Sequence, residues 1–242
     1  MSALEIAGLR KVFGGVVAID SITLSADLNE ILGIVGPNGS GKTTLFNIIT
    51  GVLRPTAGAV RWCGEDISGQ STHAIARKGL VRSFQQAMSF SALSVRENVL
   101  IANGHGSRKK VAFDADHGPA ADEILGFVGL SAQKDEIAGS MPFGYLRRLG
   151  LALALATRPK LILLDEPAAG LNDVETEDLA KLIVQLPQFG IGVCIIDHDM
   201  NLISTICHRL VVLDFGTVIA MGPPVDVLND RKVMEVYLGA PT

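Results

Sequence analysis

The chain has 242 residues, 48% of them hydrophobic and 19% charged, and a formal net charge of −4. That length allows one large domain or a core carrying a smaller subdomain, and that charge gives no electrostatic footprint for nucleic acid; Arg108-Lys109-Lys110 is too short a basic run to change this. The mean hydropathy is high for a protein in water, yet the longest apolar run, near Leu149 to Ala156, is only about half of the roughly 18 residues that a membrane span requires.

Met1 to Ile6 lacks the basic, apolar and small-residue sequence of a signal peptide, so the chain is expected to stay in the cytoplasm. Cys63, Cys194 and Cys207 are widely spaced among apolar neighbours and are expected to be buried small hydrophobes, with no disulfide or metal framework. His73, His105, His117 and His208 show no ligand spacing.

In chain order, Leu4 to Leu9 and Ile22 to Ala26 alternate as half-buried strands do. The apolar run Ile31 to Val35 then leads into Gly36-Pro37-Asn38-Gly39-Ser40-Gly41-Lys42-Thr43, and Thr44 to Thr50 is helix-like. A Gly-rich turn with a solvated lysine would share these residue types, but the position between a strand and a helix identifies a phosphate-binding P-loop. The glycines let the backbone wrap an anion, so that successive N–H groups and the positive helix end point at the same phosphates. Lys42 adds a full charge at the β/γ-phosphates, and the Thr43 hydroxyl can hold Mg²⁺.

After a turn at Arg54 to Gly58, a strand is expected at Ala59 to Trp62. Ser94-Val95-Arg96-Glu97 is a capping box that launches a helix through about Ala102. The polar segment Asn103 to Pro119 is expected to be a surface loop and carries no assigned chemistry. Helical patterning returns at Ala120 to Phe127 and from Tyr145 to Ala156. The expected organisation is thus a single domain, 1–242, with an inserted helical subdomain over approximately 90–158.

A second buried run, Leu161 to Leu164, ends in Asp165-Glu166-Pro167. A strand apolar on both faces belongs inside a parallel sheet, so both carboxylates emerge at its C-terminal edge, where ligands sit in open α/β sheets. Asp165 is then placed to bind the Mg²⁺ of a nucleotide through water and Glu166 to accept a proton from an attacking water. A helix N-cap and a surface charge would be the bland alternative. Helices at Asp173 to Leu186 and Asn201 to Cys207 alternate with strands at Val193 to Ile196 and Arg209 to Leu213, which indicates an α/β P-loop NTPase with helices flanking the sheet.

With these motifs in this order, the whole chain resembles the ATP-binding subunits of ABC transporters, implying a two-lobed fold with a mixed sheet. Phe13, in Lys11-Val12-Phe13-Gly14-Gly15, matches the aromatic on which adenine stacks, a core residue being the alternative. Gln85, in Ser83-Phe84-Gln85-Gln86, matches the glutamine that reaches Mg²⁺ and the attacking water while its loop faces the membrane subunit; Gln86 is the alternative register. His198, in Asp197-His198-Asp199-Met200, matches the switch histidine that hydrogen-bonds the γ-phosphate. Ala169-Gly170-Leu171-Asn172 matches the loop that crosses to the partner protomer, with Asn172 in place of the usual aspartate.

The resemblance implies ATP and Mg²⁺ as cofactors. It puts the nucleotide on Phe13, on Gly36 through Thr44 and on Gly144, the metal on Thr43, Gln85 and Asp165, and catalysis on Glu166, His198, Gln85 and Lys42. The implied partners are membrane permease subunits and a second ATP-binding subunit, identical or a sister, at the cytoplasmic face of the cell membrane. Asp165 to Asn172, His198-Asp199-Met200 and Val236-Tyr237-Leu238-Gly239 look like importers of branched-chain or hydrophobic amino acids, with urea or short-amide importers of the same branch as alternatives.

One motif departs from the family. Where it has Leu-Ser-Gly-Gly-Gln, this chain has Met141-Pro142-Phe143-Gly144-Tyr145. Pro142 lacks both the hydroxyl given to the opposite protomer's γ-phosphate and an N–H, and Phe143 replaces a glycine that lets backbone approach phosphate. A weakened cross-protomer contact is one expectation. A poorly hydrolysing partner of a catalytic sister subunit is the corresponding rival function, and a soluble, non-transport ABC protein is a third.

Overall fold

The computed structural model describes residues 2–83, 89–105 and 121–238. Its strands are β1 (Leu4–Phe13), β2 (Val16–Ala26), β3 (Ile31–Val35), β4 (Ala57–Trp62), β5 (Glu65–Asp66), β6 (Leu80–Ser83), β7 (Leu161–Asp165), β8 (Gly192–Ile196), β9 (Arg209–Asp214) and β10 (Thr217–Gly222). Its helices are α1 (Lys42–Ile49), α2 (Thr72–Arg77), α3 (Val95–His105), α4 (Ala121–Phe127), α5 (Phe143–Ala156), α6 (Asp173–Gln185), α7 (Met200–Ile206), α8 (Pro224–Leu228) and α9 (Arg231–Leu238). None of the described helices is long and apolar enough to cross a membrane.

Two sheets result, one of four strands in the order β2-β1-β4-β5 and one of six in the order β10-β9-β3-β8-β7-β6. The four-stranded sheet is antiparallel, whereas the larger one is parallel except for the β9–β10 pair. Mixed sheets of this kind follow from strands linked by helical crossovers with one hairpin at the edge.

The central strands β3, β7, β8 and β9 of the large sheet are buried on both faces, and the period of two along each strand divides their side chains between two cores. Ile31, Ile162, Leu164, Val193, Ile195, Leu210 and Val212 join the helical side, with Val99 of α3, Leu125 of α4, Leu149 of α5 and Ile203 of α7. Their alternates Leu32, Ile34, Leu161, Leu163, Cys194, Ile196, Val211 and Leu213 face α1 and the small sheet, meeting Phe46, Ile6, Leu9 and Leu24. Each such side chain withdrawn from water contributes about 1.5–3 kcal/mol before the entropy of ordering is subtracted. The loops at the C-terminal ends of the central strands are therefore anchored to fully buried β-structure.

Several boundaries differ from the sequence expectation. β1 and β2 run on to Phe13 and back from Val16, because Gly14 and Gly15 both adopt positive φ and close a tight hairpin between them. α3 continues to His105, three residues into the expected loop, while 106–119 lies outside the described residues. α5 starts at Phe143 rather than Tyr145: Pro142 occupies its N-cap at φ −55, where a missing N–H costs no helical bond. Cys194 and Cys207 are buried as expected, but Cys63 is exposed. Its φ of 50 puts it in the turn between β4 and β5, outside the core.

Candidate functional site

The P-loop fills the connection from β3 to α1. Gly36 and Gly41 hold φ of 150 and 105, and a Cβ would lie 2.1 Å from the Leu213 carbonyl oxygen at the first and 2.7 Å from that of Ala18 at the second. Only glycine fits either position. Pro37 O accepts from Ser40 N at 3.2 Å, and the buried Ser40 Oγ has no partner among the described residues. Asn38 and Gly39 are exposed at the crest of the loop.

Lys42 Nζ curls back over this loop, donating to Gly36 O at 2.7 Å and Pro37 O at 2.9 Å. Burial pushes its pKa below the ordinary lysine value, and the charges of Glu166 and Asp165 oppose that shift. The loop's cation and both acidic candidates therefore share one site. α1 begins with Gly41 at its N-cap, without a side-chain cap and without an acid in its first turn. Its leading N–H groups, around Thr43 and Thr44, are left for an external anion. An uncapped helix end, an orphaned hydroxyl and a lysine held over the loop by Gly36 O and Pro37 O fit the phosphates of a nucleotide.

Asp165 closes β7 and is 8% exposed. Its Oδ2 accepts a charged hydrogen bond from Arg82 Nη2. Glu166 follows in a left-handed backbone conformation, φ 47, pinned by its N–H donating to Ile196 O at 2.7 Å. A non-glycine residue costs about 1–3 kcal/mol in such a region, and this cost is typically retained where a side chain must be aimed.

β8 ends beside β7, and the segment after it holds Asp197 and His198. Asp197 is 3% exposed; its Oδ1 accepts from the N–H groups of His198 at 2.8 Å and Asp199 at 3.0 Å, and its Oδ2 from Ala168 N at 3.3 Å. One buried carboxylate thus ties the loop after Glu166 to the loop bearing His198. The His198 side chain is 75% exposed, with Nδ1 3.7 Å from Asp197 Oδ1. Phe13, at the hairpin tip, is 42% exposed with Lys11 Nζ 4.8 Å from its ring centroid, so the core alternative fails. Gln85 and the alternative Gln86 lie outside the described residues.

The departing segment is occupied in a specific way. Phe143 has the Arg147 guanidinium 4.7 Å from its ring centroid and packs against Gly170, where an added Cβ would sit 2.9 Å from Phe143 Cε1. Arg147 Nη2 donates to Ala169 O at 2.8 Å. Burial pushes the Arg147 pKa down, opposed by Asp197 and Glu166. Gly144 is buried against Glu175, which forms a capping box with Asn172: Asn172 Oδ1 accepts from Glu175 N at 3.0 Å, and Glu175 Oε2 from Asn172 N at 3.1 Å. The acceptor that Asn172 keeps serves the start of α6.

Sequence reasoning passed over Arg82, Arg147 and Asp197. The signal was present for two of them: a charged residue inside the short apolar-led strand before Gln85, and an acid directly after the buried run of β8.

A P-loop and paired carboxylates at the C-terminal edge of a mostly parallel sheet define a P-loop nucleoside triphosphatase. Comparison with known proteins narrows the class. The family model described as ABC transporter matches residues 19–169, so the chain belongs to the ABC transporter family, as an ATP-hydrolysing subunit. A second family model, described as branched-chain amino acid ATP-binding cassette transporter, matches residues 217–241. The chain is 39% identical to the high-affinity branched-chain amino acid transport ATP-binding protein BraF of Pseudomonas aeruginosa, over 98% of this chain and 97% of that one. It is 36% identical to the lipopolysaccharide export system ATP-binding protein LptB of Haemophilus influenzae, over 99% and 98% respectively. Its fold matches the crystal structure of the ATP-binding cassette MJ1267 in its ADP conformation with a TM-score of 0.87 at 31% identity, covering 99% of this chain and 100% of that one.

Proposed function

We propose that this chain powers a membrane importer of branched-chain or other hydrophobic amino acids, working as a head-to-tail dimer that sandwiches two ATP at the cytoplasmic face of the membrane. The observation that carries the solute class is the match of 217–241 to the branched-chain amino acid family model, which lies outside the general ABC transporter match over 19–169. The single domain, with α3, α4 and α5 packed together as its helical subdomain, would offer that subdomain to the permease. Reconstitution with its permease and binding protein is the test: ATP-dependent leucine uptake is expected. Uptake of urea or short amides alone would move the chain to the other importers, and outward transport alone would refute import.

Within the site, Lys42 and the N–H groups of Gly39 through Thr44 hold the phosphates. Mg²⁺, when bound, supplies charge neutralisation at the β- and γ-phosphates, and Thr43, Asp165 and Gln85 are the residues to hold it. Glu166 takes the proton of the attacking water, while His198, held at its backbone by Asp197, donates towards the γ-phosphate.

Phe13 stacks on adenine. Phe13→Ala is expected to weaken ATP binding by about 1–3 kcal/mol while leaving its Mg²⁺ dependence unaltered, since the ring meets the base and the loop meets the phosphates. Equilibrium binding of ATP to the variant decides this, and unaltered affinity would assign the base to another group.

The segment at Pro142 separates into two effects. In a Glu166→Gln background, Pro142→Ser is expected to tighten ATP-dependent dimerisation, because a hydroxyl donated to a charged phosphate contributes about 1.5–3 kcal/mol and serine also caps α5. Adding Phe143→Gly should give part of that back by removing the ring from Arg147 and Gly170. Sedimentation with and without ATP measures both steps, and no gain from the serine would mean that the cross-protomer contact is made by the helix itself.

A further inference from the structure

Arg82 joins three elements of the site. It lies in β6, the edge strand, in register with Leu163 of β7. Its Nη2 donates to Asp165 Oδ2, and its Nη1 donates to Asn47 Oδ1 on α1 at 2.6 Å. The guanidinium carbon also stands 5.8 Å from the centroid of the Phe46 ring. Both charges are almost enclosed, with side-chain exposures of 11% for Arg82 and 9% for Asp165.

A buried ion pair serves at least to neutralise its partner. The geometry here does more. A guanidinium is a planar fork, and one prong is committed to Asp165 while the other is committed to the helix that opens with Lys42 and Thr43. Holding Oδ2 fixes the rotation of the Asp165 carboxylate, so that Oδ1 would be the oxygen offered toward Mg²⁺. The bond to Asn47 sets that carboxylate relative to the Thr43 hydroxyl on the same helix. Outer partners of metal-binding carboxylates act in this way, by orientation.

We infer that Arg82 is a positioning residue for Mg²⁺, which aims the Asp165 carboxylate and locks it to α1 through Asn47. The inference rests on the reading of Asp165 as the metal-binding acid. The alternative is a cation that merely competes with the metal for Asp165, and the two predict opposite signs.

The test is the Mg²⁺ concentration that half-saturates the metal-dependent part of binding of a fluorescent ATP analogue to the full chain, with binding in EDTA as reference. Arg82→Gln is expected to raise that concentration about 10–100-fold with binding in EDTA unchanged. Arg82→Lys keeps the charge without the fork and should shift it less, and Asn47→Ala should shift it in the same direction. An unchanged or lowered midpoint in Arg82→Gln overturns the inference. Should that variant fail to fold, Arg82→Lys and Asn47→Ala decide, and unshifted midpoints in both overturn it. Asp165→Asn separates the two levels: if it shifts the midpoint and the Arg82 variants do not, only the role of Arg82 falls. If Asp165→Asn itself leaves the midpoint in place, the metal reading of Asp165 falls and the inference with it.

Discussion

Glu166→Gln is expected to bind ATP with native affinity, to hydrolyse it about 10²–10⁴-fold more slowly and to accumulate as an ATP-bound dimer, the range being that for loss of a positioned general base. Glutamine matches the shape of glutamate and removes its basicity, so binding and turnover separate. The backbone at this position is set by β7, by the N–H bond to Ile196 O at 2.7 Å and by a φ of 47. The side-chain direction therefore survives the substitution. Steady-state phosphate release and size-exclusion chromatography with ATP check the two halves, and unaltered turnover would remove Glu166 from the mechanism.

The parts of the site legible in the sequence are those where local chemistry and position coincide. The P-loop is local: its glycines, Lys42 and Thr43 act within a few residues, and the flanking strand and helix are strongly patterned. Asp165 and Glu166 are legible because a continuously apolar strand has to lie inside the sheet, and β7 does lie between β6 and β8. What escaped was long-range. Arg82 meets Asp165 across 83 positions and Asn47 across 35, and no periodicity reports such a meeting. Arg147 reaches Ala169 from α5, across 22 positions. Cys63 failed for the opposite reason: its apolar neighbour Trp62 is buried, but the turn that follows exposes the thiol. The apolar pattern marks α5 only from Tyr145, whereas the helix starts at Phe143, because proline at an N-cap is compatible with the helix it precedes.

Phe143 shows how a departure from the family pattern changes meaning once packing is known. In the sequence it is a missing glycine and so a lost approach to phosphate. In the fold its ring lies over Arg147, whose guanidinium holds Ala169 O, and against Gly170 in the loop that follows Glu166. The aromatic residue therefore couples the start of α5 to the loop after Glu166.

Asp197→Ala is expected to be the most destabilising single change in the site, at about 3–5 kcal/mol. The carboxylate is buried and accepts three backbone N–H groups, from His198, Asp199 and Ala168. Alanine leaves those donors with no acceptor; a buried orphan costs about 1–3 kcal/mol, with the part-buried N–H groups of His198 and Asp199 toward the lower end. For a chain of this size the melting temperature should fall by about 2–4 °C for each kcal/mol. Asp197→Asn retains one acceptor oxygen in nearly the same shape, so His198 and Asp199 can stay bonded and the fall should be a small fraction of that. Turnover should drop with stability in the alanine variant, because His198 and the loop after Glu166 lose their common anchor. Thermal melts of the two variants side by side make the comparison. Equal, small effects would mean that these N–H groups find water and that the two loops are held together by β7 and β8 alone, leaving Asp197 without a positioning role.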